Sequence, residues 1–183
     1  MTPRTPIVFE RLDLLEWRLC HRFALASNTR LLPLATLRLA SKAGDWPAWV
    51  LLILAQPLLD PSLGWQRMLQ FSLTAIAALL VYRLLKTRLC RERPSITFEC
   101  IPCTEPPRDR YSFPSGHTMH AVMFTVLTAT TTPWLLVIVA PLAGVIAVSR
   151  VGLGLHYISD VIGGGLIGVM FALASIELLP LTA

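Results

Sequence analysis

Residues 157–179 read YISDVIGGGLIGVMFALASIELL. The stretch is long enough for the roughly 20 residues that a helical crossing of a bilayer needs. Its two carboxylates, Asp160 and Glu177, lie near opposite ends and leave the middle apolar. No water reaches the hydrocarbon core, so such a segment must satisfy its own backbone, and a helix does this. Gly164 and Gly168 stand four apart, the spacing that lets two helices approach closely in lipid.

Working outward from this segment, four more apolar runs appear. One runs from Pro133 to Val148, another from His117 to Thr132, and another from Met68 to Leu85. A shorter run, Trp46 to Leu59, falls below the length of a span and is expected to borrow part of the turn before it. Asp60-Pro61-Ser62-Leu63-Gly64 ends it as a turn. The expected fold is therefore all-α: a polytopic membrane helix bundle of about five transmembrane helices. Composition agrees, with 54% hydrophobic and 15% charged residues. Soluble domains carry roughly 25% charged residues, so this chain lacks the polar surface to cover a globule in water.

Ahead of the crossings, residues 8–24 carry Phe9, Leu12, Leu15, Leu19 and Phe23 at helical spacing, opposite Glu10, Asp13 and Arg18. This pattern suits an interfacial amphipathic helix. A second amphipathic piece, Leu31 to Ala43, bears Arg38 and Lys42. The chain thus divides into an interfacial segment, 1–45, and a membrane domain, 46–183. Charges at Glu10, Arg11, Asp13, Glu16 and Arg18 break any apolar run that would serve as a secretory signal.

The net charge of +5 does not read as nucleic-acid binding. Nearly all basic residues lie before Lys42 or between Arg83 and Arg110, without a recognition-helix pattern. Anionic headgroups and phosphate fit better. Cys100 and Cys103 form a lone C-x-x-C with no second pair, which favours plain loop cysteines and leaves a disulfide open.

Counting crossings places the Lys86 to Pro114 loop and the Arg150 to His156 connection on one membrane face. Three polar clusters meet there. Lys86 and Arg93 are seven apart, about two turns if helical, and two cations on one face can grip phosphate oxygens; snorkelling at a membrane boundary is the plain alternative. Pro114-Ser115-Gly116-His117 precedes an apolar helix. Serine and glycine there offer backbone N–H groups to an anion, and His117 can donate a proton; a simple N-cap with an interfacial histidine is the alternative. Arg150 adds a third cation. His156 and Asp160 are four apart, so the carboxylate can hold one ring nitrogen and leave the other to attack. A structural His–Asp hydrogen bond would use the same spacing. His120, one turn after His117, is read as a satisfied helix histidine, and Asp45 as either a substrate contact or a helix cap.

Together the clusters resemble the signature of the type-2 phosphatidic acid phosphatase superfamily: K-x6-R-P over Lys86 to Pro94, P-S-G-H over Pro114 to His117, and S-R-x5-H-x3-D over Ser149 to Asp160. Every signature position is matched in order and spacing, and the helix layout extends the likeness to about residues 40–180. The resemblance implies that Lys86, Arg93 and Arg150 bind phosphate, aided by Ser115 and the Gly116 backbone. It makes His156 the nucleophile, oriented by Asp160, with His117 protonating the leaving oxygen. No metal and no cofactor are expected, since the cations neutralise charge. The family commonly has six membrane helices, and the N-terminal amphipathic segments are expected to replace the first.

The implied partners are the bilayer and a lipid phosphate such as undecaprenyl pyrophosphate, phosphatidic acid or phosphatidylglycerophosphate. Vanadium haloperoxidases resemble the same residue set but are soluble. A non-catalytic phosphate-lipid binding or transport protein is the alternative from another class. The positive-inside rule would turn the basic face to the cytoplasm, whereas the resemblance turns it outward. Catalytic arginines inflate the charge of that face, so a multi-pass inner-membrane protein with an extracytoplasmic site is the expectation.

Overall fold

The computed structural model describes residues 6–26, 33–107 and 109–180. The described residues are almost wholly helical. In chain order the helices are α1 Ile7–Ala26, α2 Leu34–Ala43, α3 Trp46–Leu59, α4 Gly64–Leu89, the short α5 Pro94–Thr97, α6 Gly116–Thr131, α7 Leu136–Gly152 and α8 Ile158–Leu178; a 3-10 turn at Pro133–Leu135 leads into α7. Residues Leu31 and Leu32, which begin the second expected amphipathic piece, lie outside the described residues.

Among the described residues three helices are long and apolar enough to cross a membrane: Gly64–Leu89, Pro133–Gly152 and Ile158–Leu178. The expected borrowing by α3 does not occur. Gly44 caps α2, and α3 starts afresh at Trp46, so it stays a shorter apolar helix of 14 residues. Helix α6, of 16 residues, is the central element, packed against α4, α7 and α8.

Apolar side chains face both ways, as a lipid-bathed bundle requires. Phe71, Met119, Phe124, Leu127 and Ile146 are fully buried, and Trp49 stacks on Phe124 with ring centroids 5.2 Å apart. Outward, Leu51, Leu58, Leu80, Val137, Leu166 and Met170 are largely exposed and form the lipid-facing belt. Lipid tails are as apolar as leucine, so close packing must hold the helices together. Gly164 and Gly168 supply it at the α6–α8 contact. A Cβ there would stand 2.4 Å from the carbonyl oxygens of Ser115 and Met119 respectively.

The helices alternate in direction. The end of α4, the start of α6, the end of α7 and the start of α8 therefore share one face, together with the α2–α3 turn. Both N-terminal helices pack at this face, α2 on α7 and α1 on α5, α7 and α8.

Candidate active site

Lys86 and Arg93 meet, but not by lying on one helix face. Cys90 adopts the left-handed conformation (φ 47°) and stops α4 after Leu89, at a cost of roughly 1–2 kcal/mol for a non-glycine residue. The bend sends Arg93 to the site from a loop while Lys86 arrives from the last helical turn. Lys86 Nζ donates to the Tyr82 hydroxyl (2.6 Å) and pairs with Asp109 Oδ2 (2.9 Å). Arg93 Nη2 pairs with Asp109 Oδ1 (2.9 Å), and its Nη1 donates to the Leu155 carbonyl (2.7 Å). One carboxylate thus bridges both cations. Burial would raise the Asp109 carboxyl, but Lys86 and Arg93 outweigh it and hold the group below its usual range. Arg150, in the last turn of α7, donates through Nη1 to Ser41 Oγ at 2.6 Å.

His156 sits between α7 and α8 and is 2% exposed. Its Nε2 lies 3.3 Å from Arg93 Nη1, facing the cations, and its Nδ1 lies 3.5 Å from Asp160 Oδ2 without hydrogen-bond geometry. Burial, then the charges of Arg93, Arg150 and Lys86, hold the ring well below the usual imidazole range. At neutral pH the ring is therefore uncharged, with a lone pair available.

Asp160 begins α8 by accepting the Tyr157 N–H on Oδ2 (2.8 Å), and its Oδ1 accepts from Arg91 Nη1 (2.6 Å). Arg91 is fully buried and runs on to Asp13 Oδ1 of α1 (2.7 Å). It lies between two aromatic rings, 4.1 Å from the Tyr157 centroid and 4.9 Å from that of Phe9. A buried charge is costly unless paired; this one has two carboxylates and two ring faces.

His117, in the first turn of α6, places Nε2 2.8 Å from Asp45 Oδ1. Ser115 is the exception among the expected residues. Its side chain is fully buried with Oγ 3.0 Å from the Thr118 hydroxyl, and its backbone N–H donates to the Asp160 carbonyl at 3.0 Å. His120 accepts no such role: its Nδ1 lies 2.9 Å from the Gly116 carbonyl oxygen, as a satisfied helix histidine would. Cys100 and Cys103 are both free and exposed. Among the described residues no three of His, Cys, Asp or Glu gather as a metal-ligand set.

Two cavities adjoin. A polar pocket of about 50 Å³ is lined by Lys86, Arg93, Arg150, His117, His156 and Asp109, among others. Beside it lies a mostly apolar cleft of about 350 Å³, walled by Trp46, Trp49, Ile53, Ile76, Leu79 and Phe124. Asp45, Tyr82, Gly116 and His117 line both.

A family model described as the PAP2 superfamily matches residues 67–181, a stretch holding all three polar clusters. The chain belongs to the PAP2 superfamily. No curated protein matches it. Among solved structures it is similar to the transmembrane PAP2-type phosphatidylglycerolphosphate phosphatase from Bacillus subtilis, with a TM-score of 0.66 and 19% identity over 95% of each chain. At that identity the likeness shows a shared fold. Asp45, Ser41 and Asp13 lie before the residues that the PAP2 model covers, yet each touches a residue within it. Sequence spacing marks neither Arg91 nor Asp109. Arg91 falls among the variable positions of the first motif, and Asp109 lies in a loop with no periodicity.

Proposed function

We propose that this membrane phosphatase removes phosphate from an amphiphilic lipid, without a metal ion, through a phosphohistidine on His156. One observation carries the reading: the cationic pocket and the apolar cleft share a wall at His117. A soluble phosphate ester would need the pocket alone, whereas a lipid phosphate has a tail to place in the cleft.

Lys86, Arg93 and Arg150 neutralise the non-bridging oxygens, displacing the Asp109 carboxylate, and the Gly116 backbone at the start of α6 assists. His156 Nε2 attacks phosphorus as the bond to the leaving oxygen breaks, and that oxygen keeps the electron pair and takes a proton from His117. Asp160 stabilises the charge that develops on the His156 ring. Neutral His117 then takes a proton from a water whose oxygen attacks phosphorus; the P–N bond breaks, its electron pair returns to Nε2, and inorganic phosphate leaves His156 neutral and His117 protonated again. Undecaprenyl pyrophosphate, phosphatidic acid and phosphatidylglycerophosphate all suit such a site.

Phosphate release by detergent-purified protein, with EDTA present, tests this. Release from any of the three that disappears in His156→Ala supports the histidine route. Equal release by the variant refutes it, and loss in EDTA refutes metal independence. Binding without release by the wild type would favour the non-catalytic reading.

The site is assigned to the extracytoplasmic face of the cell membrane. Cys100 and Cys103 are exposed on the loop that borders it. A membrane-impermeant maleimide should label them in intact cells; labelling only after lysis would reverse the assignment.

A further inference from the structure

We infer that Asp45 is the positioning residue of His117, so that a segment ahead of the family match completes the active site. The inference rests on the phosphatase reading above. Aspartate at a helix N-cap ordinarily accepts a backbone N–H from the first turn. Asp45 holds the N-cap position of α3 and makes no such bond. Its carboxylate instead meets the His117 ring at 2.8 Å, from 72 residues away in the chain. A residue that breaks a local rule for a distant partner marks a functional site more often than a structural one.

The turn is shaped for this contact. Trp49 Nε1 donates to the Gly44 carbonyl at 3.0 Å and fixes the backbone there. A Cβ on Gly44 would stand 3.0 Å from both His117 Cδ2 and Ile146 Cγ2, so a side chain there would fit only if the ring, Ile146 or the turn gave way slightly. Asp45 also lies where the pocket meets the cleft, which is where the bond between phosphate and lipid is broken in the proposed reaction.

The chemistry follows from one hydrogen bond. Nε2–H donates to Asp45, which fixes the rotation of the ring and balances the charge of its protonated form. The proton passed on rides on Nδ1. As the P–O bond breaks, that proton goes to the leaving oxygen, and the ring is left neutral with Nε2–H still on Asp45.

An acid matters most for a poor leaving group, and this separates positioning from mere structure. The test compares kcat/KM for dodecyl phosphate, an alkyl ester, with that for p-nitrophenyl phosphate, whose leaving group needs no proton. kcat/KM reports the step that forms the phosphohistidine, so slow hydrolysis of that intermediate does not hide the effect. Asp45→Asn keeps the shape and removes the charge. It should lower kcat/KM for the alkyl ester by about 100-fold and for the aryl ester by no more than about threefold. Asp45→Glu should recover part of the alkyl activity. Equal losses on both esters, or no loss on either, would overturn the assignment. A wild type that hydrolyses neither ester, or a His156→Ala variant as active as wild type, would instead sink the underlying phosphatase reading.

Discussion

Both ends of the bundle bury polar side chains, and they use them differently. At the end away from the site, Gln70 Nε2 donates to the carbonyls of Ser175 and Leu179, each at 3.2 Å, and the Thr74 and Ser175 hydroxyls lie 2.7 Å apart. Arg67 pairs with Asp60 at 2.6 Å and donates to the Thr131 carbonyl at 3.0 Å. Each contact there joins one element to the next. At the other end Lys86, Arg93, Arg150, His117 and His156 all border one small space. Polarity inside a membrane protein therefore has two uses, fastening and chemistry. Convergence on a common space, more than burial or charge, tells them apart.

Substitutions can break this contrast. The largest effect is expected from His156→Ala, which should lower phosphate release about 10⁴-fold or more while leaving the unfolding midpoint in detergent near that of wild type. Arg91→Ala should cross the divide, because Arg91 fastens α1 yet also touches the carboxylate behind His156. Leaving Asp13 and Asp160 buried and unpaired should cost about 3–5 kcal/mol, read as a lower unfolding midpoint together with lost activity. If either quantity stays unchanged, the two uses are not joined at this residue.

Smaller effects sharpen the contrast. Gly168→Leu should cost about 1–3 kcal/mol by forcing α8 off the Met119 carbonyl. It should also reduce activity, because His117 is on that part of α6. Thr74→Val should cost only about 0.6 kcal/mol with turnover unchanged; a marked fall in turnover would show that the far end is not purely structural. The pH dependence gives the gentlest test. In the proposed reaction His156 attacks in its neutral form, and its ring is held well below the usual imidazole range. Activity should then persist as pH falls through 6.5 and be lost only at more acid values. An acid limb in kcat/KM at or above 6.5 would contradict the assignment.

The order of the apolar helices and the convergence of the three clusters were legible because hydropathy and spacing are local properties. Lys86, Arg93, Gly116, His117, Arg150 and His156 all line the pocket, as their spacing implied. The less legible parts depend on contacts between distant segments. Asp45 looked equally like a cap or a substrate contact, since nothing near it in sequence points to His117. Helical spacing also misjudged how Arg93 reaches the site, because the left-handed Cys90 leaves no periodic trace. Ser115 stands back from the pocket lining, because its hydroxyl has Thr118 within reach one turn on.

The Asp13–Arg91–Asp160 chain has a consequence for biogenesis. Its members lie far apart in the sequence, Asp13 on α1 and Asp160 in the first turn of α8. A chain that stops at Gly152, the end of α7, holds Lys86, Arg93, Arg150 and His117 but neither His156 nor Asp160. The His156–Asp160 pair thus joins the cations only when α8 docks, and a chain cut after α7 would carry the cationic wall of the pocket without that pair.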